Sequence, residues 1–155
     1  MKLLEYDLGI HADNLIAAMS NRGVVKIVGF TRSGKSTLSE ILKRELKEKG
    51  NLVLLQNAKR WLLNVDNAKP DLSNSASVDP EIAASINHIE KNNINYWIID
   101  DAEIFLAYAS INILEIISRK IQSRLFNLVL VRNRFVFENA GWFSSREDLI
   151  DPEMS

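Results

Sequence analysis

The segment from Val24 to Lys49 constrains this chain more than any other. It reads VVKIVGFTRSGKSTLSEILKRELKEK: a short β-branched run, a glycine-containing loop and a long amphipathic stretch. Val24 to Val28 has the near-continuous apolar character of a strand covered on both faces. From Lys35 onward, Leu38, Ile41, Leu42, Glu45 and Leu46 recur at helical spacing, with Lys43, Arg44, Lys47 and Glu48 mainly on the other side. Gly50 is a natural stop. A strand that feeds a helix through such a loop is a building unit of a parallel α/β sheet.

The loop, Gly29-Phe30-Thr31-Arg32-Ser33-Gly34-Lys35-Ser36, satisfies G-x-x-x-x-G-K-[ST] at every fixed position. At average residue usage, a chance match in a chain this long is on the order of one in a few hundred. The chemistry explains the pattern. Consecutive backbone N–H groups can turn inward around a polyphosphate. Gly29 and Gly34 permit a close approach that a Cβ would hinder. The helix beginning near Lys35 offers unpaired N–H groups and the positive end of its dipole. Lys35 can reach the β- and γ-phosphates, the Ser36 hydroxyl can ligate Mg²⁺, and the Thr37 N–H can meet the α-phosphate.

The rest of the chain continues the alternation. Leu3 to Asn21 reads as a lead-in, with a helix capped by Asp13 running through Met19 and stopped by Gly23. Leu52 to Leu55 is a second strand. Residues 64–80 are rich in Asn, Ser, Asp and Pro and read as a long loop. Asp79-Pro80-Glu81 opens a helix whose buried face carries Ile82, Ile86 and Ile89, with Asp79 as cap. Tyr96 to Ile99 is a third strand, ending in Asp100-Asp101. Ser110 caps a helix carrying Ile113, Leu114, Ile117 and Ile121. Leu125 to Val131 is a fourth strand and Arg134 to Glu138 a fifth. The residues after Trp142 form a polar, acidic tail with a short helix near Arg146 to Ile150. The rhythm predicts one α/β domain, a three-layer sandwich around a mostly parallel sheet with helices on both faces. Its core spans about residues 24–138, between a lead-in at 1–23 and a tail at 139–155. Ligands in such sheets bind at the carboxyl ends of the strands, where the loop falls.

Composition narrows the classes. The chain has 155 residues, 46% hydrophobic and 25% charged, which excludes a disordered or fibrous chain. A net charge of −1 points to neither nucleic acid nor membrane, and the absence of cysteine removes disulfides and thiolate metal sites. No apolar run approaches the roughly 20 residues that span a bilayer. Glu5 and Asp7 stand where a signal peptide needs an apolar core. The expectation is a cytoplasmic protein with no membrane partner.

Tyr96 to Phe105, YWIIDDAEIF, supplies a second motif: an apolar strand ending in carboxylates. A carboxylate at a strand tip can face the phosphate loop, which makes Asp100 the candidate Mg²⁺ ligand beside Ser36. Together the two motifs resemble the Walker A and Walker B signatures of P-loop NTPases. Asp100-Asp101-Ala102-Glu103 is similar to the D-E-A-x box of the branch with an additional strand between the two motif strands. That branch includes RecA-like, AAA+ and FtsK/HerA-type DNA-pumping ATPases. FTRSGKS also resembles the T-R-S-G-K run of the conjugative coupling ATPases. The resemblance implies an Mg²⁺-dependent ATPase. Asp101 would polarise the attacking water, with Glu103 in reserve because Asp is one methylene shorter than the usual Glu. It also implies a homo-oligomer acting on DNA or a protein partner.

Further candidates follow from that resemblance. Arg119, Lys120, Arg124, Arg132 and Arg134 fall within sixteen residues that contain no acid. Arg119 and Arg124 are candidate arginine fingers, although a solvated helix face is the plainer reading. Asn133, at the end of the fourth strand, is a candidate γ-phosphate sensor where the family usually has Gln. His11 and His88 have no partner at metal spacing, and Trp61, Trp97 and Trp142 read first as core or lid residues. Two other functions remain open. The D-D-A-E-I-F box also resembles the D-E-A-Q-F-F box of zinc-containing thymidine kinases, whose cysteine-bound zinc this chain cannot build. Gln56 to Arg60 lies where kinases hold substrate, with Arg60 present and no neighbouring acid. The third function is a nucleotide-binding switch with slow turnover.

Overall fold

Among the described residues five parallel strands form the centre of the molecule, in the spatial order β1-β2-β5-β4-β3. They are β1 (Leu3–Asp7), β2 (Val24–Gly29), β3 (Val53–Asn57), β4 (Tyr96–Asp100) and β5 (Asn127–Asn133). The connecting helices are α1 (Lys35–Glu48), α2 (Lys59–Leu62), α3 (Asp79–Lys91), α4 (Ala102–Tyr108), α5 (Ile111–Gln122) and α6 (Ala140–Ile150). This computed structural model describes residues 3–7, 23–29, 35–62, 78–133 and 140–151. The helix expected at Asp13 to Met19, the loop at 64–77 and the strand expected at Arg134 to Glu138 lie outside them.

The pleat sorts successive side chains to opposite faces. Val25, Ile27, Ile98, Val129 and Val131 pack on one face with Leu42 and Leu46 of α1. Val24, Trp97, Ile99, Leu128 and Leu130 face the other way, against α3, α4, α5 and α6. Ile82, Ile86 and Ile89 of α3 are buried there, as are Ile113, Leu114, Ile117 and Ile121 of α5. The fold is therefore α/β, with an all-parallel sheet and helices on both faces. Trp97 centres an aromatic group on the second face, with ring centroids 6.5 Å from Trp61, 6.3 Å from Phe105 and 5.8 Å from Phe126. Edge-on arrays of this kind add to the burial energy. Trp61 and Trp97 are thus core residues.

Several elements differ from expectation. Leu3–Asp7 is an edge strand in register with Val24–Val28 rather than part of a lead-in. Its two acids hide the apolar pattern. At α3 the cap residue is Val78, which makes no side-chain cap bond, and Asp79 is the first helical residue. Asp79 Oδ1 instead accepts the Ser110 N–H at 2.9 Å, tying the start of α3 to the start of α5. Ser110 caps α5 as expected, its hydroxyl accepting the Ile113 N–H at 3.2 Å. The fourth predicted strand is displaced by two residues. Arg124 turns the chain with a left-handed backbone (φ 60°), Leu125 is exposed, and β5 starts at Asn127.

The acidic tail contains an eleven-residue helix, α6, that buries Ile150 in the core. Arg146 of α6 donates to the carbonyls of Leu106 and Ala109 at the C-terminal end of α4. A cation suits that end of a helix dipole. Burial lowers the Arg146 pKa from its ordinary value, and Asp79 opposes the shift. Burial also raises the Asp151 carboxyl above its ordinary range. Among the described residues no helix is long and apolar enough to cross a membrane.

Candidate functional site

Both motifs end at the carboxyl edge of the sheet, with one strand between them. Gly29 closes β2 and is in register with Asn133, which closes β5. On the other side of β5, Asp100 closes β4 in register with Asn57 of β3. Lys35, Ser36 and Thr37 are the first three residues of α1. Phe30 to Gly34 lie outside the described residues, as do the side chains of Lys35, Ser36 and Thr37. The two flanks of the loop, a buried strand end and a helix start, stand as the sequence requires.

Asp100 is buried. Its Oδ1 accepts the Asp101 N–H at 2.9 Å, and its carbonyl accepts the Ala58 N–H at 3.0 Å. Asp101 has a left-handed backbone, φ 51° and ψ 45°, and precedes α4. Asp and Asn are the non-glycine residues that best tolerate this conformation. Asp101 Oδ2 lies 3.9 Å from Lys59 Nζ, a pair whose lysine is exposed and whose attraction is therefore weak. Glu103 behaves differently: its Oε2 accepts the Asn133 N–H at 2.9 Å, joining α4 to the tip of β5. That bond holds Glu103 beside Asn133.

Asn133 is gripped at a second point. Arg132 donates from Nη1 to the Asn133 carbonyl at 2.9 Å. Arg132 is itself held by Glu147 of α6, through Nε to Oε2 at 2.9 Å and Nη2 to Oε1 at 3.2 Å. Lys26 of β2 adds an Nζ–Oε1 contact of 3.5 Å to the same carboxylate. The backbone of Asn133 is thus fixed, while its side-chain Oδ1 is buried with no hydrogen-bond partner among the described residues. An orphaned buried acceptor in a strand-end site has room for a further donor, such as a water or a ligand.

The basic block is dispersed by the fold. Arg132 lies in the buried Glu147 cluster, Lys120 pairs with Glu90 of α3, and Arg119 reaches Glu115 one turn away at 4.0 Å. Arg119 and Arg124 precede β5, so they stand near the amino ends of the strands. Asp100 is at the carboxyl end of β4, roughly 13 Å further along the strand direction. Neither arginine can serve the site of its own chain. His88 is exposed and meets Asn92, while Arg134 and His11 lie outside the described residues.

A cavity of about 650 Å³ opens beside Asp100, bounded by α1, the end of β3, α2 and the start of α3. Its lining includes Glu40, Lys43 and Glu81. Sequence reasoning marked Gln56 to Arg60 but missed these three, because they come from other elements. Glu40 and Lys43, three residues apart on α1, carried the one available signal. Among the described residues no three His, Asp or Glu side chains converge as a metal cage. A magnesium ion here would rely on Asp100, Ser36 and water, which suits its preference for few protein ligands. No family model matches the chain, and no curated protein matches it.

Proposed function

We propose that the chain binds Mg²⁺ and a nucleoside triphosphate, ATP in the first instance, at residues 29–37 and Asp100 and hydrolyses it. The observation that carries this reading is the strand order. β5 lies between β2 and β4, so the phosphate-loop motif and the carboxylate motif meet one edge with a single strand between them. That is the arrangement implied by the additional-strand branch of P-loop NTPases. A buried strand-end carboxylate and an orphaned acceptor beside it suit the group chemically. When bound, the cation would neutralise charge on the β- and γ-phosphates.

Each residue then has a role. Lys35 binds the terminal phosphates, and Ser36 and Asp100 hold the cation. Asp101 accepts the proton of the attacking water. Asn133, held by Glu103 and Arg132, offers its Oδ1 to that water. A second reading, transfer to a small molecule instead of water, is favoured by the cavity beside Asp100.

Lys35→Ala tests the first reading directly. MgATP affinity, measured by calorimetry, is expected to fall at least tenfold, since charge-assisted hydrogen bonds are worth about 1.5–3 kcal/mol. Phosphate release should fall with it. Unchanged affinity and turnover in a folded variant would end the assignment.

A further inference from the structure

We infer that the docking of α6 controls hydrolysis at the nucleotide site from the opposite side of the sheet, with Glu147 as a positioning residue that acts through Arg132 on Asn133. This deepens the nucleotide reading and rests on it.

The pleat separates the two groups of residues. Successive side chains of a strand alternate between the faces of the sheet. Val129 and Val131 of β5 pack on the face that α1 covers, so Asn133 carries its side chain to that face. Asp100 does the same, two residues after Ile98. Leu128 and Leu130 pack on the other face, and there Arg132 meets Glu147 of α6. The helix that follows the phosphate loop and the helix that carries Glu147 therefore lie on opposite sides of β5.

The backbone at the tip of β5 joins them. Asn127 donates its N–H to Asn95 on the β4 side, and Leu128 donates to Gly23 on the β2 side, both at 2.8 Å. The alternation continues along the strand, so Asn133 presents its N–H and C=O towards β4. The register between β4 and β5 runs from Tyr96 opposite Asn127 to Ile99 opposite Leu130, and Asn133 lies three residues beyond it. Charged side chains take the place of the ladder there. Glu103 Oε2 accepts the N–H at 2.9 Å, and Arg132 Nη1 donates to the carbonyl at 2.9 Å.

Glu147 sets the aim of that last bond. It takes the Arg132 Nε and Nη2 on its two oxygens, at 2.9 and 3.2 Å. A planar guanidinium held at two points is fixed in its plane, which directs the remaining Nη1 at the Asn133 carbonyl. Both side chains are buried. A buried ion pair is weak evidence for stability, since well-packed apolar groups often replace it. Such groups could not supply the third N–H. When α6 is docked, the carbonyl of Asn133 is held and its Oδ1 is aimed on the nucleotide face. When the Glu147 contact is lost, that aim is lost with it.

Arg132→Met with Glu147→Leu removes the grip on Asn133 while filling the space. Calorimetry should give wild-type MgATP affinity. Phosphate release should fall about ten- to a hundredfold, the effect of a small misplacement at a reacting centre. Hydrogen exchange followed by NMR should speed up at the Asn133 amide and stay unchanged at Val129 and Val131. Glu147→Gln, which keeps the shape and offers a single acceptor, should show the same pattern in smaller measure. Lys26→Met loses a contact to the same carboxylate without touching Asn133, so it should lower the denaturation midpoint and leave turnover alone. Wild-type turnover, or wild-type exchange at Asn133, in whichever of the first two variants folds would overturn the inference. A loss confined to MgATP affinity, or an equal loss of turnover in Lys26→Met, would do the same. Failure of the nucleotide reading shows instead in the wild type, as absent MgATP binding, so the two failures are told apart.

Discussion

Asp101 is the residue where backbone and chemistry meet. A left-handed conformation outside glycine is unusual, and positions of this kind cluster at functional sites. Asn shares the tolerance of Asp for it, so Asp101→Asn removes the charge while keeping the turn. The variant is expected to retain MgATP binding, measured by calorimetry, and to lose phosphate release by about a hundredfold or more, the usual contribution of a positioned base. Wild-type turnover would move the base elsewhere. Glu103 is a poor substitute while its Oε2 holds the Asn133 N–H. The local spacing D-D-A-E showed that carboxylates gather here. It did not show which one points back to the backbone, because that depends on where β5 ends.

At the scale of the element, α6 is the largest departure from what the sequence displays. AGWFSSREDLI has no helical apolar stripe, so the sequence shows a polar tail with a helix only near Arg146 to Ile150, where the structure has one over Ala140–Ile150. It folds onto the core because its polar groups find buried partners: Arg146 on the end of α4, Glu147 on Arg132 and Lys26. Glu147→Ala would leave Arg132 buried without its carboxylate, and removal of one partner from such a pair costs about 3–5 kcal/mol. The expected readout is a large fall in the denaturation midpoint. Arg132→Met with Glu147→Leu should recover most of it, since a buried pair is often replaceable by well-packed apolar groups. Equal midpoints for wild type and Glu147→Ala would show that the cluster carries no stability. By contrast α1, α3 and α5 were legible because their stripes of Leu and Ile are regular. The strands β2 and β4 were legible because burial on both faces leaves near-continuous apolar runs. Strand β1 was not, as an edge strand need bury less of itself and Glu5 and Asp7 interrupt it.

For the whole molecule, strand order was the quantity that sequence could not supply. Alternating strands and helices predict a parallel sheet but leave open which strands are neighbours, and the position of β5 carries the functional reading. The association state belongs to this scale as well. If hydrolysis needs an arginine from a neighbouring copy, light scattering should show monomers without nucleotide and larger assemblies with a non-hydrolysable MgATP analogue. Arg119→Ala or Arg124→Ala should then lower turnover without lowering MgATP affinity. A monomer under all conditions, with both variants fully active, would remove the arginines from the mechanism.

The separation of Arg119 and Arg124 from Asp100 along the sheet has a geometric corollary. In a two-fold pair residue i meets residue j and j meets i, so two copies lying side by side with opposed strands would each offer arginines to the other's carboxylate edge. Head-to-tail contacts do the same, and these close as rings or continue as filaments. Any assembly that lends such an arginine to a neighbour must therefore set opposite ends of the two sheets together.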